Sequence, residues 1–278
     1  MDFAASGSEA VPVHVMRATL SIGSLDVWNF AHFAHAFPRH AHEEFTIGVF
    51  ERPHGRVTYR GATWSAFTGG ILAVSPDDVH AADAGKDGWT YRALYPSTEL
   101  VGLALDDPAE ARRAHFPAPV IEDPGLSSSF DRLHRALAVN ADGLAVEEEL
   151  LACIRKLVGR HSTERARATR RSPNTRAADL ARQYLDENYG TAVKLAPLAA
   201  MCEMSPFHLI RSFRQVVGLP PHAYLTQVRA RRARDLLLRG ESLTGIAYRC
   251  GFCDQSHMTR TFKRIFGVTP GAYIAALK

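Results

Sequence analysis

The sequence lacks any long hydrophobic run. No stretch approaches the roughly 18 consecutive apolar residues that indicate a membrane-spanning helix. The opening segment, MDFAASGSEAVPV, has neither the basic start nor the apolar centre of a secretory signal peptide. We therefore expect a cytoplasmic protein that is not anchored in a membrane.

Cysteine is scarce as well. The four cysteines, Cys153, Cys202, Cys250 and Cys253, are too few and too close to the C-terminal end to form a disulfide framework. Cys250 and Cys253 have the C-x-x-C spacing, but no second pair follows at the spacing of a zinc site. We interpret all four as reduced thiols and assign a structural role to Cys250 and Cys253.

Acidic residues are unevenly distributed along the 278 residues. Residues 1–160 contain 14 Lys or Arg against 21 Asp or Glu, whereas residues 176–278 contain 15 against 7. The basic end predicts a polyanionic partner, for which nucleic acid is the leading candidate and an anionic membrane surface the second. The length predicts two domains.

The N-terminal part has the pattern of a β protein. From Val27 to about Tyr95, short apolar runs such as FTIGVFE and GGILAVSP are separated by Gly and Pro. This spacing predicts a small antiparallel sandwich or barrel. Helical spacing then predicts an antiparallel helix pair over residues 126–161, separated by the segment ADG. Its apolar stripe would form either the domain's own core or a homodimer interface and comprises Leu133, Leu137, Leu150, Ile154 and Leu157.

A basic segment that contains Ser-Pro follows the helix pair and has the composition of a linker. We therefore expect an N-terminal domain over residues 1–161, a linker over residues 162–176 and an all-helical domain over residues 177–278.

The helical domain contains an internal repeat. MSPFHLIRSFRQVVGLPPHAYL and CDQSHMTRTFKRIFGVTPGAYI superpose with a shift of 49 residues, which pairs Arg211 with Arg260 and Gly218 with Gly267. Each copy has the parts of a helix-turn-helix: a short helix, a turn, a capped longer helix and a closing glycine. Ser205 and Asp254 are the expected caps. The sequence therefore predicts two helix-turn-helix modules joined by one helix.

The longer helix of each module has a face suited to DNA. Arginine matches the acceptors of guanine, glutamine matches adenine, and apolar groups contact the thymine methyl. Lysine is suited to phosphate, and acids are absent from this face beyond Asp254. The candidate DNA-binding residues are Phe207, Ile210, Arg211 and Arg214 in the first module and Gln255, Ser256, Thr259, Arg260 and Lys263 in the second. Phe207 and Ile210 could alternatively pack within the domain.

These motifs resemble the AraC/XylS family of transcription regulators. The stretch IAYRCGFCDQSHMTRTFKRIFGVTPGAYI is similar to the family's signature, with Cys253 and His257-Met258 as departures from it. The resemblance implies that the two longer helices enter successive major grooves of double-stranded DNA. It also implies control by a small-molecule effector. An activator of this kind would have RNA polymerase as a further partner.

The N-terminal part resembles the cupin-like effector domain of the same family. The fold class expected is thus a cupin-like β sandwich or barrel with a helix pair, followed by a double helix-turn-helix. The candidate effector-binding residues are His40, His42, Arg60, Trp64, His80 and Arg92.

The segment HAHEE and the distant His80 also resemble the metal-binding pattern of cupin enzymes. Neutral imidazoles and a carboxylate could hold Fe, Mn or Zn. The candidate ligands are His40, His42, Glu44 and His80. We expect no obligatory cofactor and no enzymatic activity, and the alternative is a cupin-type metalloprotein or metalloenzyme fused to a DNA-binding domain.

Overall fold

The computed structural model describes residues 13–52, 55–139, 143–164 and 172–277. Strands dominate its first part. They are β1 (Val13–Leu20), β2 (Gly23–Phe33), β3 (Ala36–His40), β4 (Thr46–Arg52), β5 (Arg56–Tyr59), β6 (Ala62–Ser65), β7 (Ile71–Val74), β8 (His80–Asp83), β9 (Trp89–Tyr95), β10 (Ala114–His115), β11 (Val120–Ile121) and β12 (Thr163–Glu164).

Two antiparallel sheets form the sandwich of the β domain, and β10 and β12 form a separate pair. The large sheet has the order β1-β2-β9-β4-β7-β11, and the small sheet has the order β3-β8-β5-β6. Strand β4 is buried on both sides, because Phe50 packs with Val57 and Tyr59 of the small sheet while Ile47 joins a second core on the opposite face. The predicted β sandwich is therefore confirmed, with the large sheet as its central layer.

Helices cover the outer face of the large sheet and form the rest of the chain. They are α1 (Thr98–Leu105), α2 (Pro108–Arg113), α3 (Pro124–Ala138), α4 (Gly143–His161), α5 (Pro173–Glu187), α6 (Leu195–Met201), α7 (Pro206–Val217), α8 (Pro221–Leu238), α9 (Leu243–Arg249), α10 (Gln255–Phe266) and α11 (Pro270–Ala276). In the described part of the chain, no helix combines the length and apolarity needed to cross a bilayer.

The predicted helix pair corresponds to α3 and α4. All five residues of its apolar stripe are buried in the core beneath the large sheet, together with Ile47 and Leu94. The stripe is therefore the domain's own core, and the homodimer interpretation of it is wrong. The segment ADG expected between the helices falls largely outside the described residues.

The last hundred residues form the two predicted helix-turn-helix modules, α6–α7 and α9–α10, joined by α8. The side chain of Ser205 caps α7, and that of Asp254 caps α10, as the sequence predicts. Both helices end at a glycine in the left-handed region, Gly218 with φ 85° and Gly267 with φ 79°. The conformation favours glycine because a side chain would crowd the backbone there.

The linker is shorter than predicted. Helix α5 begins at Pro173, and the Ser172 side chain accepts a hydrogen bond from the Thr175 amide, so residues 173–176 are helical. Ser-Pro acts here as a cap and a first-turn proline, not as a break. At the other end Thr163–Glu164 pairs with Ala114–His115. Residues 165–171 lie outside the described part of the chain.

Candidate DNA-contact face and interdomain cavity

Helix α7 presents a mixed apolar and basic face to solvent. Phe207 is 78% exposed, which argues against the alternative that it packs within the domain. Arg211 and Arg214 are also exposed, whereas Ile210 is half-buried. Leu209 and Phe213 are fully buried on the opposite side of the helix. The face that sequence periodicity selected is thus the outer face of α7.

Helix α10 has a polar outer face. Its exposed residues are Gln255, Ser256, Arg260 and Lys263, and Thr259 is half-buried. The Gln255 side chain accepts a hydrogen bond of 3.0 Å from the Thr244 hydroxyl of α9, which fixes its direction at the start of the helix. Neither α7 nor α10 contains an acid. Both outer faces can therefore approach phosphate without charge repulsion from the helix itself.

One exposed aromatic residue of the second module was missed by the sequence analysis. Tyr248 on α9 is 85% exposed. The apolar periodicity of α9 gives no sign of it, because a short helix of seven residues has too few turns to define a face.

The C-x-x-C cysteines do not form a pair. Cys250 is buried and Cys253 is exposed, and both are free. Burial raises the pKa of the Cys250 thiol to about 11. These positions agree with the structural interpretation.

Ion pairs between acidic residues of the β domain and arginines of the helical domain connect the two domains. In the β domain, Glu43 and Glu44 follow β3, and both pair with arginines of α8: Arg231 Nε lies 3.3 Å from Glu43, and Arg234 Nη2 lies 2.7 Å from Glu44. Gln227 of α8 also donates a 2.9 Å hydrogen bond to the Arg39 carbonyl. Part of the positive charge of the C-terminal domain therefore faces the acidic β domain, whereas the composition alone had suggested a separate polyanionic partner.

Aromatic packing continues across the same interface. Trp28 of β2 and Tyr273 of α11 have ring centroids 5.7 Å apart. Gly267 lies so close to Phe33 that an added Cβ would be 2.6 Å from its ring. Ile265 and Phe266 belong to the same continuous core as the inner face of the β sandwich. The second module is thus seated directly on the β domain.

A small cavity lies at this junction. Its volume is about 40 Å³, and its walls are mainly aromatic on the β side, with Trp28, Tyr91 and Tyr95 among them. The C-terminal domain contributes Arg234, Ile265 and Phe266. The sequence analysis did not select these three, because residues separated by about 190 positions are brought together only by tertiary packing.

Three histidines meet in the cavity: His40, His42 and His80. One nitrogen from each ring can be chosen so that all three lie within 4.8 Å of one another. Nδ1 of His40 lies 2.7 Å from the Pro38 carbonyl, and Nδ1 of His80 lies 3.0 Å from the Asp78 carbonyl. A carbonyl can only accept, so Nδ1 carries the proton in both rings and Nε2 keeps its lone pair.

Burial keeps these imidazoles neutral. It lowers the pKa of His40 and His42 well below the usual value, and the neighbouring imidazoles lower both further. Burial also lowers the pKa of His80, although the nearby Asp78 opposes the shift. Neutral rings are the form of histidine that binds metals.

Glu44 does not join the three histidines, and its assignment as a fourth metal ligand is wrong. Strand β3 ends at His40, so residues 40, 42 and 44 do not share one face of a strand. Burial would raise the pKa of Glu44, but the charge and hydrogen bond of Arg234 outweigh it and hold the pKa below its usual value. Glu44 is thus the ionised partner of Arg234.

Three other candidate effector residues lie away from the cavity. Arg92 follows Tyr91 on β9 and therefore points to the other face of the sheet, where it pairs with Glu51 and Asp131. Arg60 is in the turn after β5, with φ 51°, and Trp64 is on the exposed edge strand β6. The sequence grouped them with the histidines because strand phase could not be fixed.

Both the N-terminal and the C-terminal part of the chain match families of known proteins. Residues 30–154 match the model of the AraC-like ligand binding domain, and residues 198–276 match a helix-turn-helix domain model. The chain is 27% identical over 237 residues to the uncharacterized HTH-type transcriptional regulator YbfI of Bacillus subtilis, which covers 84% of this chain and 86% of YbfI. It is 27% identical over 236 residues to the HTH-type transcriptional activator RhaS of Escherichia coli, covering 80% and 82% of the two chains.

Solved structures show the same two-domain fold. An apo single-residue variant of ToxT from Vibrio cholerae aligns over 96% of this chain and 97% of its own, with a TM-score of 0.58 and 10% identity. Wild-type ToxT bound to an unsaturated fatty acid aligns over 96% and 95%, with a TM-score of 0.54 and 14% identity.

Proposed function

Because this chain belongs to the AraC family of transcription regulators, with a ligand-binding domain followed by two helix-turn-helix modules, we propose that it reads DNA with the outer faces of α7 and α10. The observation that carries the proposal is the match between the repeat and the surface: two equivalent helices expose hydrogen-bonding, cationic and apolar groups and no acid. We place this activity in the cytoplasm, where such a regulator meets its DNA.

We assign different roles to the residues of these faces. Arg211 and Arg260 occupy equivalent positions in the repeat and can each donate two hydrogen bonds to a guanine edge. Phe207 and Ile210 suit thymine methyl groups. Gln255 suits adenine, and Ser256 and Thr259 suit base edges or phosphate. Arg214 and Lys263 lie further along the helices and suit phosphate.

Effector control acts through the interdomain cavity in this proposal. Small organic ligands in proteins usually occupy about 300–1,000 Å³, whereas the cavity holds about 40 Å³. An organic effector can therefore enter only if α8 and α10 move relative to the β domain. Its binding would favour an arrangement in which the second module is held differently, and that preference is what a coupling between effector and DNA requires.

The aromatic walls and the buried arginine indicate the chemistry of such an effector. An apolar body would pack against Trp28 and Tyr91, and a polar or anionic group would lie toward Arg234 and the histidines. The relatives are named as transcription regulators, and we propose no enzymatic activity. RNA polymerase and a second copy of the chain stay predictions as partners.

The test of DNA reading compares two cations on α10. Arg260→Ala should weaken binding to the preferred site by about 1–3 kcal/mol and relax the preference at one base pair. Lys263→Ala should weaken binding to every sequence alike and reduce the salt dependence by about one counterion. Binding of the full chain is measured by titration against salt and random competitor DNA. Equal losses by both variants on specific and random DNA would contradict the assigned faces.

A further inference from the structure

We propose that His40, His42 and His80 form a binding site for a divalent first-row transition metal at the junction of the two domains. The ring nitrogens provide the first argument. In a tetrahedral site, nitrogens about 2.1 Å from the metal lie about 3.4 Å from one another. The three nitrogens already lie within 4.8 Å of one another, so the described structure holds them near the spacing that a metal requires.

Two of the ligands are already oriented for a metal. The Nδ1 hydrogen bonds of His40 to the Pro38 carbonyl and of His80 to the Asp78 carbonyl leave the Nε2 lone pairs for coordination. A hydrogen bond from the second ring nitrogen to a carbonyl is the usual way in which proteins hold a metal-binding histidine. Asp78 is itself held, because its carboxylate accepts a 2.6 Å hydrogen bond from the Tyr59 hydroxyl.

The volume of the cavity is suited to a metal ion. A cavity needs about 10–15 Å³ for each water molecule, so a cavity of about 40 Å³ accommodates an ion with one or two waters in the docked arrangement. Three imidazoles without a carboxylate suit zinc, iron, copper, cobalt or nickel. Calcium and magnesium require oxygen ligands, and the cluster provides none.

The surrounding charges tolerate a dication. Arg234 lines the same cavity, but its charge is balanced by Glu44 at 2.7 Å. With three protein ligands, a fourth coordination position is left for water or for a donor atom of a ligand. The metal would lie between the β domain and α8, so the same ion could act on how the two domains are docked. The proposed metal site is independent of the proposed DNA contacts. An experiment can therefore disprove the metal site while the DNA contacts stand.

The experiment measures metal binding by untagged full-length protein, since an affinity tag of histidines would itself bind the probe. After treatment with a chelator, the protein is titrated with Zn²⁺, and its visible absorption is recorded with Co²⁺. We expect one Zn²⁺ per chain and a Co²⁺ spectrum typical of nitrogen ligands. His42→Asn should weaken binding by at least about 100-fold, more than the loss of an outer hydrogen bond usually causes.

Three variants complete the design. His42 is only half-buried, so His42→Asn is expected to fold, and circular dichroism checks this. His80→Ala then tests the loss of a buried ligand. His14→Ala, on the exposed side of β1, is the matched control and should bind like the wild type. Cys253→Ser should also leave binding unchanged. Absence of Zn²⁺ and Co²⁺ binding in the wild type would overturn the proposal, and so would equal binding by His42→Asn or loss of binding in Cys253→Ser.

Discussion

The two helix-turn-helix modules share a repeat but differ in what supports them. The first module has a core of its own, formed by α5 to α8, with half-buried Val79 as the β-domain residue packed against it. The second module has no separate core: Met258, Phe262 and Tyr273 belong to the same cluster as Trp28 and Phe30 of the β domain. The two copies therefore share a scaffold, but the second is packed into the core of the β domain.

This difference indicates where an effector can act. A change at the interdomain cavity reaches α10 directly, through Ile265 and Phe266, and reaches α7 less directly, through α8. The outer faces of the two helices also differ: α7 exposes an aromatic side chain, whereas α10 exposes polar ones. Under the effector control proposed above, the second module would therefore respond first.

The largest effect is expected from a matched pair of core substitutions. Phe213 and Phe262 occupy equivalent positions of the repeat, and both are fully buried. Each change to Ala should cost about 3–5 kcal/mol of unfolding free energy. Hydrogen exchange should show that Phe262→Ala exposes amides of β2 and β3 as well as α10, whereas Phe213→Ala exposes only α5 to α8. Identical exchange patterns would contradict separate support of the modules.

Removal of Glu44 should have the next largest effect. Glu44→Gln removes the nearest anionic partner of the Arg234 side chain, which is 12% exposed and keeps a longer contact of 3.7 Å with Asp235, and we expect a loss of about 3 kcal/mol in urea unfolding. Glu43→Gln is the adjacent comparison: the Glu43 side chain is 53% exposed, so solvent screens its pair with the buried Arg231, and we expect a smaller loss than for Glu44→Gln. Equal losses would mean that the Arg234 pair does not hold the domains together.

Acid should weaken the β domain and the second module before the first. His134 is buried, its Nε2 donates to the Trp28 carbonyl at 3.0 Å, and its Nδ1 has no partner. Burial, helped by Arg92, lowers the pKa of His134 to about 4. Since the folded pKa lies below the unfolded one, stability is complete above about pH 6.5 and falls as the pH decreases toward about 4.

The expected loss from His134 at pH 5 is about 2 kcal/mol relative to pH 7.5. His134→Gln keeps a hydrogen-bond donor but cannot titrate, so its urea midpoint should change less between the two pH values. Hydrogen exchange at pH 5 should report the loss in α10 and not in α7. An unchanged pH dependence in the variant would show that another group is responsible.

The smallest effect concerns the exposed aromatic residue of α7. Phe207→Ala should change the unfolding free energy by less than about 0.5 kcal/mol, because Phe207 is 78% exposed. It should weaken specific DNA binding by about 1 kcal/mol if the ring contacts a thymine methyl. Replacement of that thymine by uracil should weaken the wild type and not the variant. A uracil effect that is equal in both proteins would refute this contact.

Local chemistry was sufficient to predict much of the fold. The caps Ser205 and Asp254, the closing glycines and the repeat are encoded within about 25 residues each, so sequence alone defines the two modules. The short helices α1 and α2 were not predicted, since they have too few turns for a clear period. The start of α5 was missed because Ala177, Ala178 and Ala181 form its buried face, which hydrophobic patterning detects poorly.

The candidate cavity was only half predictable. His40, His42 and His80 were selected by residue type, and the structure brings them together. Arg234 and Phe266 were not selected, because their place in the cavity depends on how the domains dock. The roles of all these residues, and of those on the DNA-contact faces, stay predictions.

Selection of binding sites from random DNA is the measurement that tests the central claim most directly. The full chain should enrich a site with two halves whose centres are about 10–10.5 base pairs apart, one for each module. Arg211→Ala should relax only one half, and Arg260→Ala only the other. Two results would contradict reading by two separate modules. One is a single DNA element that both variants relax together. The other is no enrichment by the wild type, either alone or with an extract of its own cells added as a source of effector.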